Sequence, residues 1–288
     1  MRDITFGQYY PGNSPIHKLD ARVKIIFSLF YMVGVFFAKS FSSFAVLIVF
    51  NILMVLVGRL PMRTILKSLK PILFLAIFAL ILNVFFSNSG GYMLLQAGKY
   101  IKVTLEGIRN AIFMVIRLIL LVVGTSVLTL TTTPTELTDA IESLLSPLKI
   151  LKVPVHDFAI IMSLALRFVP SFIDETDKII MAQKARGASF DNGPLHKRAK
   201  AYIPVLIPLF VNAFRKADDL ADALDARCYS ATPNRTKMKV QKITYREIVA
   251  SIIIIAFFTI VFLDYSQIIP FQGYDQRLLE LIKRFIEG

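Results

Sequence analysis

A single cysteine, Cys228, stands among 288 residues, so no intrachain disulfide can form and no thiolate cluster can hold a metal. Histidine is nearly as scarce. His17, His156 and His196 lie far apart in sequence, and the chain contains neither an HExxH pair nor a GxxxxGK[ST] phosphate loop. Also missing is a basic-then-apolar leader with a small-residue cleavage site. The N-terminal stretch MRDITFGQYYPGNSPIHKLDARVK is polar, so the first apolar segment is expected to stay as an anchor.

What fills the chain instead is apolar. Hydrophobic residues make up 55% of it and the mean hydropathy is +0.62, with apolar runs longer than a soluble core of this size needs. The runs are Ile25–Ala38, Phe41–Gly58, Ile72–Phe86, Ala111–Leu130 and Ile248–Leu263. Crossing a hydrocarbon core of ~30 Å takes about 20 residues of helix, fewer where flanking Lys or Arg snorkel. The expected fold is therefore all-α, a polytopic helical membrane protein with about five transmembrane helices. Its divisions are a first membrane part over residues 1–130, a helical cytoplasmic section over 131–246, and a last span with a C-terminal segment over 247–288.

Charge sets the orientation. Lys and Arg number 33 against 20 Asp and Glu, a net charge of +13 that suits anionic lipid or acidic protein partners. Nucleic acid is the least suited partner, given the apolar runs. Arg2, Lys18, Arg22 and Lys24 precede the first run, and Arg59, Arg63, Lys67 and Lys70 separate the second from the third. Both groups belong in the cytoplasm by the positive-inside rule. The connection Ser87 to Asn110, with Lys99, Lys102, Arg109 and Glu106, then falls outside. Thr131 to Arg246 falls inside and carries 17 of the 33 basic residues. Asp264 to Gly288 falls outside by the same count, and RLLELIKRFIEG has the pattern of an amphipathic helix suited to either membrane surface.

Thr131 to Arg246 is too long for a passive loop. Thr133 or Thr135 is placed to cap a helix through Glu142, with Pro147 and Pro154 after it. A second helix is expected from about His156 to Lys184, bent at Pro170, and a third from about Ala201 to Arg227 with Pro204 and Pro208 near its start. The turn GASFDNGPL joins them.

Both long helices finish on one pattern. Ala182, Ala185, Arg186 and Ser189 match Ala223, Ala226, Arg227 and Ser230 at an offset of 41, and Asp177 matches Asp218. Small residues one and four positions before an arginine clear a strip of helix surface for a partner's groove. The guanidinium fork can then pair with a carboxylate or a helix C-terminus. A single Ala-Arg-Gly means little; two at matched helix ends point to function.

YYPGNSPIHKLDARVK, TLTTTPTELTDAIESLLSPL, LALRFVPSFIDETDKIIMAQKARGAS and ADALDARCYS together resemble the transmembrane T component (EcfT/CbiQ-like family) of energy-coupling factor (ECF) transporters, over nearly the whole chain. The resemblance implies a non-catalytic scaffold and coupling subunit of an ABC importer for vitamins or other micronutrients, in the cell membrane. The implied partners are two ABC-type ATPase subunits, a membrane-embedded substrate-binding S component and the lipid bilayer. No cofactor is implied for this chain, since ATP and magnesium belong to the ATPases. The paired motifs Ala185-Arg186-Gly187 and Ala226-Arg227-Cys228 then tip two coupling helices that seat in the ATPases, the second departing from the pattern at Cys228. The apolar face around Leu164, Leu166, Phe168, Ile203, Leu206, Leu209 and Phe210 is the expected S-component contact.

One enzyme reading competes. Asp218, Asp219 and Asp222 spell the DDxxD with which membrane prenyltransferases hold magnesium and a diphosphate, and DETD at Asp174–Asp177 offers a second acidic cluster. Arg215, Lys216 and Arg227 are within helical reach, so ordinary ion pairing is the blander account. Arg117 falls inside the fourth run. It has to face a wet cleft or the bundle interior, where a carbonyl or polar group can take its charge.

Overall fold

In a bilayer every backbone N–H and C=O has to be satisfied within the segment itself, and apolar runs of this length do so as helices. The computed structural model describes residues 9–86, 93–97, 101–151, 154–188, 190, 194–229 and 244–266. They form α1 (Ala21–Phe37), α2 (Phe41–Gly58), α3 (Met62–Phe86), β1 (Met93–Ala97), β2 (Ile101–Thr104), α4 (Leu105–Thr131), α5 (Pro134–Leu145), α6 (Val155–Ala185), α7 (Leu195–Ala226) and α8 (Tyr245–Tyr265), with a 3₁₀ turn at Ser146–Leu151. The chain divides into two compact units, Met1–Ala140 with Gln241–Gly288, and Ile141–Val240.

Side chains at the helix starts explain the boundaries. Asp20 accepts the Arg22 amide at 2.9 Å before α1, Ser40 the Ser43 amide at 3.2 Å before α2, and Thr104 the Gly107 amide at 3.1 Å before α4. Before α5, Thr133 Oγ1 takes the Glu136 amide at 3.2 Å while Glu136 Oε2 takes the Thr133 amide at 3.3 Å. This is a capping box, with Pro134 as the first helical residue, where its missing N–H costs nothing. Thr133 is thus the cap and Thr135 is not.

Among the described residues, five helices are able by length and composition to cross a membrane: α2, α3 over Met62–Val84, α4 over Gly107–Thr131, α6, and α8 over Tyr245–Asp264. The number agrees with the sequence reading and the membership differs. α6 enters the set with a mean hydropathy of 1.4, against 2.2 to 2.5 for the other four. α1 is short at 17 residues, yet it packs against both α4 and α8 in the heart of the first unit. α3 begins well before the expected Ile72 and carries Lys67, Lys70 and Pro71 within the helix. In the expected outer connection β1 and β2 pair antiparallel, an element the apolar pattern gave no hint of. The amphipathic pattern near the C-terminus lies outside the described residues.

The first unit is cored by Tyr31, Val35, Phe44, Leu47, Phe113, Leu120, Phe257 and Val261, drawn from α1, α2, α4 and α8. Several of the polar side chains inside it are paired. The Tyr31 hydroxyl donates to Leu120 O at 3.1 Å, and Asn51 Nδ2 donates to the Tyr31 hydroxyl and to Leu47 O. Gly124 lets α4 approach this ring, since a Cβ there would lie 2.2 Å from Tyr31 Cε1. Arg117 gives Nη2–H to Ala38 O at 2.8 Å, the carbonyl at the end of α1, and its guanidinium lies over the Phe36 and Phe44 rings. At the other end of α4, Lys24 Nζ donates to Thr131 O at 2.9 Å and to His17 O at 3.3 Å, and the Tyr10 amide donates to Leu130 O at 2.9 Å. Asp264 Oδ2, buried at the end of α8, accepts from the hydroxyls of Ser40 and Ser43 at the start of α2.

Candidate coupling site

The two long helices of the second unit end in the same closing turn. Arg186 caps α6 at φ −83°, ψ 5° and Arg227 caps α7 at φ −93°, ψ 11°. The next residue of each turns left-handed, Gly187 at φ 87° and Cys228 at φ 52°. Its amide returns to the carbonyl three residues back, Gly187 to Lys184 at 3.0 Å and Cys228 to Asp225 at 2.9 Å. The amide after that reaches five residues back, Ala188 to Gln183 and Tyr229 to Leu224, both at 2.9 Å. These are Schellman closures, which need a residue of positive φ just past the cap. Gly187 is therefore explained by backbone conformation, and Cys228 holds that same conformation with a side chain. Ala182, Ala185 and Arg186, and likewise Ala223, Ala226 and Arg227, are all exposed. Each arginine stands beside a strip clear of bulk. Ser189 and Ser230 lie outside the described residues.

The helices also meet at equivalent positions. Lys216 Nζ donates to Glu175 Oε2 at 2.8 Å and to Ser171 Oγ at 3.0 Å, Asn212 Nδ2 donates to Glu175 Oε1, and Lys216 stands 4.7 Å from the Phe172 ring centre. Residues 175 and 216 are separated by the same offset as the two arginines, and so are 171 and 212. Exchanging the helices therefore turns the Lys216–Ser171 contact into the Glu175–Asn212 contact and leaves the Glu175–Lys216 pair in place. Eleven residues run from this crossing to each arginine, about 16 Å of helix at 1.5 Å per residue. The second unit thus carries two arms of equal length with equal tips.

The apolar face divides. Ile203, Leu206 and Phe210 are exposed on α7, while Leu164, Leu166, Phe168 and Leu209 are half-buried. Ile207, Phe210 and Phe214, at 60%, 62% and 69% exposure, continue Ile203 as one stripe along α7 at spacings of four, three and four. Ile207 and Phe214 were absent from the sequence-predicted face, although the helical spacing was there to find them.

The acidic clusters do not build a diphosphate site. Glu175 of DETD is committed to Asn212 and Lys216, and Lys216 turns to α6 rather than to the aspartates of its own helix. Asp218, Asp219 and Asp222 are exposed, and among the described residues no three His, Cys, Asp or Glu side chains come together to hold a metal ion. His156 Nδ1 meets Glu142 Oε1 at 3.1 Å, and His17 lies between Ser14 Oγ at 2.6 Å and Tyr10 O at 3.0 Å.

Residues 12–238 match the sequence family described as CbiQ, cobalt transport protein. The chain belongs to the CbiQ family. Within it, the chain is 49% identical over 263 residues to the energy-coupling factor transporter transmembrane protein EcfT of Ruminiclostridium cellulolyticum, covering 91% of this chain and 97% of that one. It is 47% identical over 252 residues to the protein of the same name from Clostridium kluyveri, covering 88% and 93%. The Bacillus subtilis protein of that name is 41% identical over 258 residues, covering 89% and 97%. The CbiQ match spans both long helices and both arginine tips, and the identity with the EcfT proteins runs through nearly the full length of each.

Proposed function

We propose that this chain is the transmembrane coupling subunit of an energy-coupling factor importer and that α6 and α7 are its coupling helices. The name shared by its full-length relatives supports the transporter role, and the matched arms carry the coupling role. Arg186 and Arg227, each beside Ala185-type and Ala226-type small residues and ahead of the left-handed Gly187 or Cys228, enter grooves on two similar ABC-type ATPase subunits. Two tips at equal reach from one crossing suit two like partners. ATP and magnesium are handled on those ATPases, and this chain is non-catalytic. The stripe through Ile203, Ile207, Phe210 and Phe214, extended by Leu164, Leu166, Phe168, Leu206 and Leu209, takes the membrane-embedded S component that carries the vitamin or other micronutrient.

The protein resides in the cell membrane as a multi-pass protein, with its N-terminus and residues 131–246 on the cytoplasmic side, the less apolar α6 lying against that face of the bilayer rather than crossing it. ATP binding draws the ATPases together and moves the two seated tips, and the polar crossing at Glu175 and Lys216 keeps the arms in register so that tip motion reaches the apolar stripe. The test is co-purification of the ATPases, with uptake measured alongside, for Arg186→Ala, Arg227→Ala and the double variant. Each charge-assisted contact is worth about 1.5 to 3 kcal/mol, so each single variant keeps part of its assembly. The double variant loses the gain of two-point attachment as well and fails to assemble. Full uptake by a membrane-inserted double variant would remove the arginines from the mechanism.

A further inference from the structure

A cleft of about 480 Å³ opens between α1, α2 and α8 of the first unit. Leu19 and Val23, Leu53 and Val57, and Val249 and Ile253 form its walls, with Lys24, Tyr245 and Arg246 at one end and Phe27, Phe50 and Ile254 at the other. Along α8 the lining runs from Tyr245 to Ile254, a rise of about 13 Å at 1.5 Å per residue. Half of a ~30 Å hydrocarbon core is about 15 Å, so the cleft spans one leaflet from its interface to its midplane.

Its two ends differ in chemistry. The deep end is wholly apolar. At the shallow end the charged lining residues are both basic. Lys24 Nζ is held by Thr131 O and His17 O, and Arg246 is exposed, bonding through Nε to the Tyr245 hydroxyl at 3.5 Å with its guanidinium 5.7 Å from that ring centre. Among the described residues the terminal nitrogens of Arg246 have no protein acceptor. Three carboxylates lie nearby, Glu136 and Asp20 by Lys24 and Glu247 by Arg246. Each accepts a backbone amide at a helix start, Glu136 from Thr133, Asp20 from Arg22 and Glu247 from Thr244 at 2.7 Å, so none forms an ion pair with the terminal nitrogens of Arg246. An occupant therefore has a hydrocarbon tail about one leaflet deep and a negative head at the height of Arg246, with Tyr245 at the interfacial level that tyrosine favours.

We propose that this cleft is a binding site for an anionic phospholipid, one acyl chain lying against α1, α2 and α8 and the phosphate on Arg246. The inference rests on these three helices crossing the bilayer and is independent of the coupling role of α6 and α7.

The chain has no tryptophan, so an introduced one reports without background. Leu53→Trp places it in the cleft, Val249→Trp is a second cleft reporter on another helix, and Ile81→Trp, on the exposed surface of α3 eleven residues beyond Lys70, is the control. Each full-length variant is placed in phosphatidylcholine vesicles doped with dibrominated phosphatidylglycerol or dibrominated phosphatidylcholine, and quenching is followed against mole fraction. A basic side chain near an anionic headgroup is worth ~1 kcal/mol, so half-quenching of the cleft reporters is expected at about fivefold less brominated phosphatidylglycerol than phosphatidylcholine. The α3 reporter shows no preference, and Arg246→Gln brings the cleft ratio near one. Equal quenching by the two lipids in the cleft overturns the proposal, as does a preference that survives Arg246→Gln. Absence of quenching by either lipid does the same, because protein then fills the cleft.

Discussion

The left-handed residues that follow the two arginines allow a test in which similar substitutions have opposite outcomes. Gly187 sits at φ 87° with nothing within 4 Å of the position a Cβ would take. A substitution there strains the backbone and touches nothing. Gly187→Ala is expected to cost roughly 1 to 2 kcal/mol, the penalty of placing an L side chain in the left-handed region. Cys228 already bears that strain at φ 52°, so Cys228→Ala is expected to change nothing. Cys228→Gly relieves it, but the freer glycine of the unfolded chain gives back up to about 1 kcal/mol, leaving a small gain or none. The readout is hydrogen exchange at the amides that close each turn, Ala188 on Gln183 O and Tyr229 on Leu224 O. If they exchange by local fraying, Gly187→Ala speeds Ala188 roughly 5- to 30-fold and leaves Tyr229 alone. ATPase co-purification should weaken in Gly187→Ala and hold in Cys228→Ala. Unchanged exchange at Ala188, or a Cys228→Ala effect as large as that of Gly187→Ala, would refute the account of why glycine follows one arginine and need not follow the other.

Three further outcomes follow from the first unit and the orientation. Gly124→Ala drives a methyl into the Tyr31 ring and forces α1 from α4, an overpacking cost of about 1 to 3 kcal/mol that lowers the thermal midpoint; Tyr31→Leu in the same chain should restore part of it. Lys24→Met leaves Thr131 O and His17 O without their donor in a buried place, at about 1 to 3 kcal/mol for each carbonyl that water cannot reach. The expected result is a lower thermal midpoint, and no change in stability would mean that the bond is incidental. Asn192→Cys in a Cys228→Ser background should take a membrane-impermeant maleimide only from the cytoplasmic side, and labelling from outside alone would overturn the orientation together with the coupling mechanism.

How far the sequence reaches depends on whether a residue's neighbours are local. Helix type and rough extent were legible because apolar runs and caps act within a few positions, as Thr133 does, although the caps Asp20 and Ser40 went unread. α7 begins at Leu195 rather than near Ala201 because HKRAK reads as polar loop, while a helix end free of the core tolerates a run of charge. The pairing of β1 with β2 escaped notice because a strand is recognised by its partner across the ladder, which hydropathy along the chain does not mark. Arg117 illustrates the other limit: sequence demanded a partner for a charge in an apolar run, and only the packing of α4 against α1 names Ala38 O. At the helix tips the residues themselves were legible and their conformation was not. The spacing singled out the arginines, whereas the reason for Gly187 lies in a φ angle.

The same distinction explains where the two arms agree and where they differ. At the tips, which are exposed, Ala182, Ala185 and Arg186 repeat as Ala223, Ala226 and Arg227. At the crossing the equivalent positions face each other across the pseudo-symmetry, and there identity would be costly: two glutamates or two lysines in the place of Glu175 and Lys216 would set like charges in contact. The observed pair is opposite in sign, 2.8 Å apart, and half sheltered at 22% and 31% exposure. Asn212 and Ser171, also equivalent and also different, supply the flanking contacts that keep Glu175 and Lys216 in that geometry. A helix that has to dock on its own copy diverges at the point of contact, where like charges would otherwise meet. The chain makes its crossing complementary and keeps its exposed arginine tips matched, which is what the proposed engagement of two similar partners would require.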